Sequence, residues 1–100
     1  MNKYKVLISP QAYEELEVIY KYIALSLPSP AAANSTLEAI KNTILSLDEM
    51  PNRGAIRKVG IYANMGYRQL FVKNYTVIYR IDEKDKIVII ITVRYTPSAF

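Results

Sequence analysis

The sequence GYRQLFVKNYTVIYRID, residues 66–82, decides the fold. Two runs rich in aromatic and β-branched residues flank Lys73-Asn74, a pair that suits a tight turn and predicts a β-hairpin. The segment KIVIIITVRY, residues 86–95, follows a second turn sequence and is apolar on both faces, which predicts an interior strand. The last third of the chain therefore predicts three consecutive antiparallel strands.

Two amphipathic helices are predicted upstream of this hairpin. A short strand over residues 4–9 leads into Ser9-Pro10, an N-cap serine with proline at the first helical position. Residues 27–30, LPSP, end this helix and begin a second, which Pro51 ends. The expected apolar stripes step by three and four residues: Tyr13, Leu16, Tyr20, Ile23 and Leu27, then Ala33, Leu37, Ile40, Ile44 and Leu47.

The element order β-α-α-β-β-β predicts one α+β domain over residues 1–100, with a helical hairpin packed on an antiparallel sheet. Residues 50–66 lie between the second helix and the sheet, and their proline, glycine and asparagine residues predict a long loop. The expected core comprises Leu16, Ile19, Ile23, Ile40, Ile44, Leu70, Val77, Ile89 and Ile91. Tyr13, Tyr20 and Tyr79 are also expected to pack half-buried, with the hydroxyl at the surface.

The composition excludes several classes of function. The chain contains no histidine and no cysteine, so a Ser-His-Asp triad, a disulfide framework and the usual zinc sites are excluded. No glycine-rich phosphate loop occurs, and neither a cofactor nor a metal is expected. The longest apolar run, residues 87–91, is too short for a membrane span, and the N-terminus does not resemble a signal peptide. We therefore expect a cytoplasmic protein.

The charges point to an anionic partner for the second half of the chain. Residues 1–50 carry four cations and six acids, a net charge of −2, whereas residues 51–100 carry nine cations and three acids, a net charge of +6. Arginine suits phosphate groups, and tyrosine offers a stacking surface and a hydroxyl. Candidate target-binding residues are Arg53, Arg57, Lys58, Arg68, Arg94 and Tyr95. A solvated basic surface would explain this excess of cations equally well. For Arg68, an ion pair with a helix carboxylate is an equal alternative.

Three blocks of the sequence together resemble the RelE/ParE superfamily of bacterial toxins. They are VLISPQAYEELEVIYKYIA (residues 6–24), SPAAANSTLEAIKNTILSLDEMPNRG (residues 29–54) and the hairpin GYRQLFVKNYTVIYRID, followed by a hydrophobic last strand. The resemblance implies the toxin of a type II toxin–antitoxin module. A cognate antitoxin would neutralise it with a C-terminal segment laid in an apolar groove, and DNA would be contacted only through that antitoxin. RelE-like members cleave mRNA on the ribosome, and ParE-like members poison DNA gyrase.

Two positions depart from the ribonuclease branch, and the long helical hairpin is similar to the ParE-like form. In the ribonuclease branch an arginine follows the tyrosine that matches Tyr75, whereas this chain has Thr76. Basic residues or histidines follow the last strand in that branch, whereas Thr96-Pro97-Ser98 stands here. The first hypothesis is therefore a gyrase-binding toxin. The alternatives are a toxin-fold protein that has lost its target activity, and a ribosome-dependent mRNA endonuclease that uses Arg68, Lys73, Arg80, Arg94 and Tyr95.

Overall fold

The computed structural model describes residues 3–26 and 30–97. Two α-helices and a five-stranded sheet make up this part of the chain. Their bounds are β1 Lys5–Ile8, α1 Pro10–Ser26, α2 Pro30–Leu45, β2 Ala55–Ile56, β3 Arg68–Val72, β4 Tyr75–Asp82 and β5 Ile87–Tyr95. Neither of the helices described here is long and apolar enough to cross a membrane.

The strand order across the sheet is β1-β5-β4-β3-β2. The predicted α+β architecture is confirmed, since α1 and α2 pack against a sheet whose β2, β3, β4 and β5 are antiparallel neighbours. Strand β1 is the exception, because it pairs with β5 in parallel. The predicted loop over residues 50–66 is also more ordered than expected: it contains a 3₁₀ turn at Pro51–Arg53 and the short edge strand β2.

Ser9 begins helix α1 as predicted. Its hydroxyl oxygen accepts a hydrogen bond from the Ala12 amide at 3.1 Å, which satisfies one of the free amides of the first turn. The same hydroxyl donates to the Ile91 carbonyl at 3.0 Å, and the Ser9 amide donates to the Ile90 carbonyl at 3.0 Å. Ser9 therefore fixes both the start of α1 and its position beside β5. The predicted cap at Ser29 lies outside the described residues, but α2 does begin at Pro30.

The buried face of α1 differs from the predicted stripe. Tyr13 and Tyr20 are more than half exposed, and the buried positions of α1 are Ala12, Ile19 and Ile23. The two tyrosines are therefore more exposed than the predicted half-buried packing. A tyrosine can leave its ring partly hydrated because its hydroxyl bonds with water, whereas isoleucine has no such alternative. Leu27 lies outside the described residues, as does the side chain of Ala33.

The core lies between the helices and one face of the sheet. Five of the predicted core residues are buried there: Ile19, Ile23, Ile40, Ile44 and Val77. Leu16 and Leu70 are half-buried against them. Tyr79 packs as predicted but more deeply, since it is fully buried and its hydroxyl lies inside rather than at the surface.

The residues of β5 that enter the core are not the ones that were predicted. Val88, Ile90 and Val93 enter the core, whereas Ile89 and Ile91 are only half-buried. An irregularity opposite Ile78 and Tyr79 leaves Ile91 without a partner in the register, which brings Ile90 and Val93 to the same face. The prediction was wrong because five consecutive apolar residues contain no alternation from which to choose a face.

Candidate functional site

The predicted cations fall into three environments. Arg53, Lys58, Lys73 and Arg80 are exposed. Arg68 and Arg94 are half-buried, and Arg57 is almost completely buried. These differences separate the cations that a partner can reach from those that organise the chain itself.

Arg68 and Arg57 hold loops in place through neutral groups. Arg68 makes no ion pair within residues 3–26 and 30–97; its Nη1 donates to the carbonyl oxygen of Gly54 at 2.7 Å. Arg57 is 6% exposed, and its Nε donates to the Val59 carbonyl at 2.7 Å. The Nη1 of Arg57 donates to the side chain of Gln69 at 2.8 Å. Both guanidinium groups therefore satisfy carbonyl oxygens near the edge strand β2.

Glu15 connects α1 to the outer edge of β5. Strand β1 stops pairing with β5 at Ile90, so the edge of β5 beyond this point has no strand partner. There a Glu15 oxygen accepts from the Thr92 hydroxyl at 2.6 Å and from the Val93 amide at 3.1 Å. The Nε of Arg94 lies 3.6 Å from the other carboxylate oxygen. One carboxylate thus replaces the missing strand and positions Arg94.

The two threonines that distinguish the chain from the ribonuclease branch lie side by side. The hydroxyl oxygens of Thr76 and Thr96 are 2.9 Å apart and share a hydrogen bond. The Thr96 amide also donates to the Asn74 carbonyl at 2.7 Å, which holds the end of β5 against the β3–β4 turn. Thr76 is buried, and Ser98 lies outside the described residues. The pair is neutral and offers neither a base nor a cation.

A groove of about 680 Å³ opens beside this end of the sheet, between α1 and the ends of β4 and β5. We call it the α1–β5 groove. Its lining residues are Gln11, Glu14, Glu15, Val18, Ile19, Tyr22, Tyr75, Val93, Arg94 and Tyr95. The lining is mainly apolar and includes the charged residues Glu14, Glu15 and Arg94. The volume of the groove falls in the range of ligand-binding clefts.

Three tyrosines, Tyr22, Tyr75 and Tyr95, line the α1–β5 groove. The rings of Tyr75 and Tyr95 meet edge to face, with centroids 5.8 Å apart. Burial raises the pKa of the Tyr75 phenol above 10.0, and the nearby phenols of Tyr22 and Tyr95 raise that pKa further. Tyr22 and Tyr95 are themselves 63% and 47% exposed, so an incoming apolar segment would find uncovered aromatic surface.

Two lining residues of the groove, Val18 and Tyr22, were missing from the sequence-based candidates. They are 66% and 63% exposed on α1. With Leu25, which is 87% exposed, they step by four and three residues and form a second apolar stripe beside the buried one. That spacing was the available signal. Of the sequence candidates, only Arg94 and Tyr95 line the groove.

Comparisons with known proteins agree with the fold. A family model described as the ParE toxin of the type II toxin–antitoxin system, parDE, matches residues 6–98. The structure of a chromosomal ParDE system from P. aeruginosa is similar, with a TM-score of 0.71 and 20% identity over 95% of this chain and 98% of that chain. A RelBE2 complex from Mycobacterium tuberculosis has a TM-score of 0.65 and 22% identity over 93% of this chain and 98% of that chain.

The isolated E. coli RelE toxin is also similar, with a TM-score of 0.62 and 15% identity over 96% of this chain and 87% of that chain. No curated protein matches the chain. At such identities the structural likeness establishes the shared fold only. The family model, however, spans nearly the whole chain. The chain belongs to the ParE toxin family of type II toxin–antitoxin systems.

Proposed function

We propose that this ParE family member arrests growth by binding DNA gyrase in the cytoplasm, and that it does not cleave RNA. The observation that carries the proposal is the neutral pair of Thr76 and Thr96, whose hydroxyls bond each other at 2.9 Å. Cleavage of a phosphodiester requires a general base, a general acid or charge stabilisation at the reacting phosphate. A threonine pair supplies none of these, and the chain has no histidine to replace them.

The remaining basic residues support binding rather than catalysis. Arg68 and Arg57 are used by backbone and amide oxygens, and Arg94 lies beside Glu15. The exposed cations Lys58 and Arg80 are free to attract an acidic surface, since no ion pair of theirs occurs among the described residues. This distribution favours long-range attraction of a large anionic partner over a compact catalytic centre.

A cognate antitoxin is the second partner in this proposal, and the α1–β5 groove is its site. An amphipathic segment could place apolar side chains against Val18, Tyr22 and Tyr95, in the manner of a helix bound in a groove. The similar structures from P. aeruginosa and M. tuberculosis, described as a toxin–antitoxin system and a toxin–antitoxin complex, support an antitoxin as the partner.

Supercoiling by purified gyrase tests the proposal directly. We expect the chain to block supercoiling of relaxed plasmid in a dose-dependent way, and the cognate antitoxin to restore it. In a parallel translation reaction the message should stay intact. Normal supercoiling at a large excess of the chain would refute the gyrase assignment. Cleavage of ribosome-bound message that is lost in the Arg94→Ala variant would support the ribonuclease alternative instead.

A further inference from the structure

The loop over residues 57–66, between β2 and β3, exposes an unusual amount of apolar surface. Within it Val59, Ile61 and Met65 are 64%, 62% and 60% exposed. Single exposed apolar residues are ordinary on protein surfaces, but three large ones within seven residues form a concentrated group. The α1–β5 groove does not include any of them.

This loop is held in shape from inside. The buried Arg57 side chain donates to the Val59 carbonyl at 2.7 Å. The Arg57 amide donates to the Tyr67 carbonyl at 2.8 Å, and the Arg57 carbonyl accepts from the Asn64 amide at 3.2 Å. The rings of Tyr62 and Tyr67 meet edge to face, with centroids 5.4 Å apart. A loop fixed in this way loses little conformational entropy when a partner covers it. The exposed side chains are therefore presented on a preorganised support.

The charges around the loop indicate which partner it fits. No acidic residue occurs between positions 50 and 81, whereas six cations do. Lys58 lies within the loop and is exposed, and Arg53 is exposed shortly before it. An apolar pocket rimmed by carboxylates on another protein would complement this combination of apolar and basic groups.

We propose that the 57–66 loop is the surface that contacts the toxin's protein target, separate from the α1–β5 groove. This inference rests on the proposed function, because the target named there is gyrase. The apolar side chains of Val59, Ile61 and Met65 would enter a pocket of the target, and Lys58 would pair with an acidic group at its rim. The antitoxin and the target would then occupy different surfaces of the toxin.

The test compares two triple variants that remove exposed apolar surface. The loop variant carries Val59→Ser, Ile61→Ser and Met65→Ser. The matched control carries Tyr13→Ser, Tyr20→Ser and Leu45→Ser, which are exposed on the helices and lie outside the groove. The loop variant should require at least tenfold more protein to inhibit supercoiling and should no longer arrest growth, whereas the control should match the wild type. Both variants should melt near the wild-type temperature and bind the cognate antitoxin normally.

A second pair of variants tests the charge. Lys58→Glu should weaken inhibition several-fold, whereas Lys84→Glu, in the exposed turn between β4 and β5, should not. Inhibition by the loop variant at the wild-type concentration would overturn the inference. An equal loss of antitoxin binding would overturn it as well, because the loop would then belong to the antitoxin surface. A loop variant that loses a wild-type affinity for vesicles of phosphatidylcholine and phosphatidylserine while it still inhibits gyrase would show a membrane contact. That result would overturn the inference as well.

Growth arrest separates this inference from the gyrase assignment. A wild-type chain that arrests growth without inhibiting gyrase would refute gyrase as the target. Growth arrest by the loop variant would then be the remaining test of the loop as a target-binding surface. Arrest by the loop variant would overturn the inference, and loss of arrest would support it. A wild-type chain that neither inhibits gyrase nor arrests growth would overturn both.

Discussion

Tyr75 and Tyr79 occupy the same face of β4, four residues apart, yet they serve different purposes. Both are buried, at 6% and 0% exposure. The Tyr79 hydroxyl donates to the Pro51 carbonyl at 2.6 Å and accepts from the Gly54 amide at 3.0 Å. No hydrogen bond of the Tyr75 hydroxyl occurs in the described part of the chain, and its ring lines the α1–β5 groove beside Tyr22 and Tyr95.

The difference shows how a small domain divides one strand between stability and binding. Around Tyr79, which we call the closed end of β4, the ring is fully buried and the hydroxyl has both a donor and an acceptor partner. These bonds hold the sheet against the segment before β2. Around Tyr75, which we call the open end of β4, the neighbouring rings of Tyr22 and Tyr95 are exposed and can be covered by a partner. Substitutions near Tyr79 should therefore reduce stability, and substitutions near Tyr75 should reduce binding.

The largest effect on stability is expected from Gly54→Ala. A Cβ atom at this position would lie 2.6 Å from the Gln69 carbonyl oxygen and 2.6 Å from the Tyr79 hydroxyl, so the closed end would have to open. We expect a loss of about 3 kcal/mol in the free energy of unfolding, measured by urea denaturation.

Gly66→Ala is the control for that substitution. Gly66 has a φ of 81°, but no heavy atom lies within 4 Å of the position that its Cβ would take. Only the backbone conformation should then cost free energy, about 1 kcal/mol. Equal losses for the two variants would mean that the contact between Gly54 and Tyr79 does not limit stability.

A comparable effect on binding is expected at the open end of β4. Tyr22→Ser removes an exposed ring from the α1–β5 groove, and we expect about a 30-fold weaker affinity for the antitoxin, equivalent to about 2 kcal/mol. Tyr20→Ser is the matched control, since Tyr20 is similarly exposed on α1 but does not line the groove. Calorimetric titration with the cognate antitoxin measures both. An equal loss for the two variants would argue against the groove as the antitoxin site.

The tyrosines of β4 can be compared directly by removing their hydroxyls. Tyr79→Phe leaves the Gly54 amide and the Pro51 carbonyl without their partner, at a cost of about 1–3 kcal/mol. Tyr75→Phe breaks no hydrogen bond found among the described residues, and its stability should change by less than about 0.5 kcal/mol. Similar losses in urea denaturation would remove the distinction between the closed and open ends.

Local chemistry made much of this fold predictable. Ser9-Pro10 and Lys73-Asn74 were recognised because a helix start and a tight turn require particular residue types at adjacent positions. The order of helices and strands follows from such signals and from the apolar patterns. The family resemblance was also available from the sequence, and the family match over residues 6–98 confirms it.

The errors arose where tertiary packing selects among residues that look equivalent in the sequence. Tyr20 and Ile19 are both suitable for a core, and only the position of α1 on the sheet decides between them. In β5 the choice between Ile89 and Ile90 depends on an irregularity that no local pattern marks.

The candidate site was harder to predict than the fold, because it depends on which side chains remain exposed after the helices and strands have packed. Arg57 resembles a surface cation in the sequence but is buried by contacts with residues two and twelve positions away. The α1–β5 groove is formed by α1, the start of β4 and the end of β5, which are distant from one another in the sequence. The roles of the candidate cations in target binding stay predictions.

Alkaline pH should give the smallest effect. The pKa values of Tyr75 and Tyr79 are both raised above 10.0, in each case mainly by burial. Folding therefore favours the neutral phenols, and this contribution to stability is fully present below pH 10.0 and is lost as the pH rises through the raised values. The free energy of unfolding should accordingly be insensitive to these two groups at neutral pH and should fall in strongly alkaline buffer.

Tyr22 allows the two phenols to be separated. Its proximity raises the pKa of Tyr75, whereas the Gly54 amide and the charges of Arg68 and Arg53 partly lower the pKa of Tyr79. In Tyr22→Ser the pKa of Tyr75 should move towards its ordinary value while that of Tyr79 stays unchanged. Titration of ¹³C-labelled tyrosine by NMR resolves the two rings. Parallel movement of both values would indicate that Tyr22 acts through the whole fold, whereas movement of Tyr75 alone would locate the effect at the open end of β4.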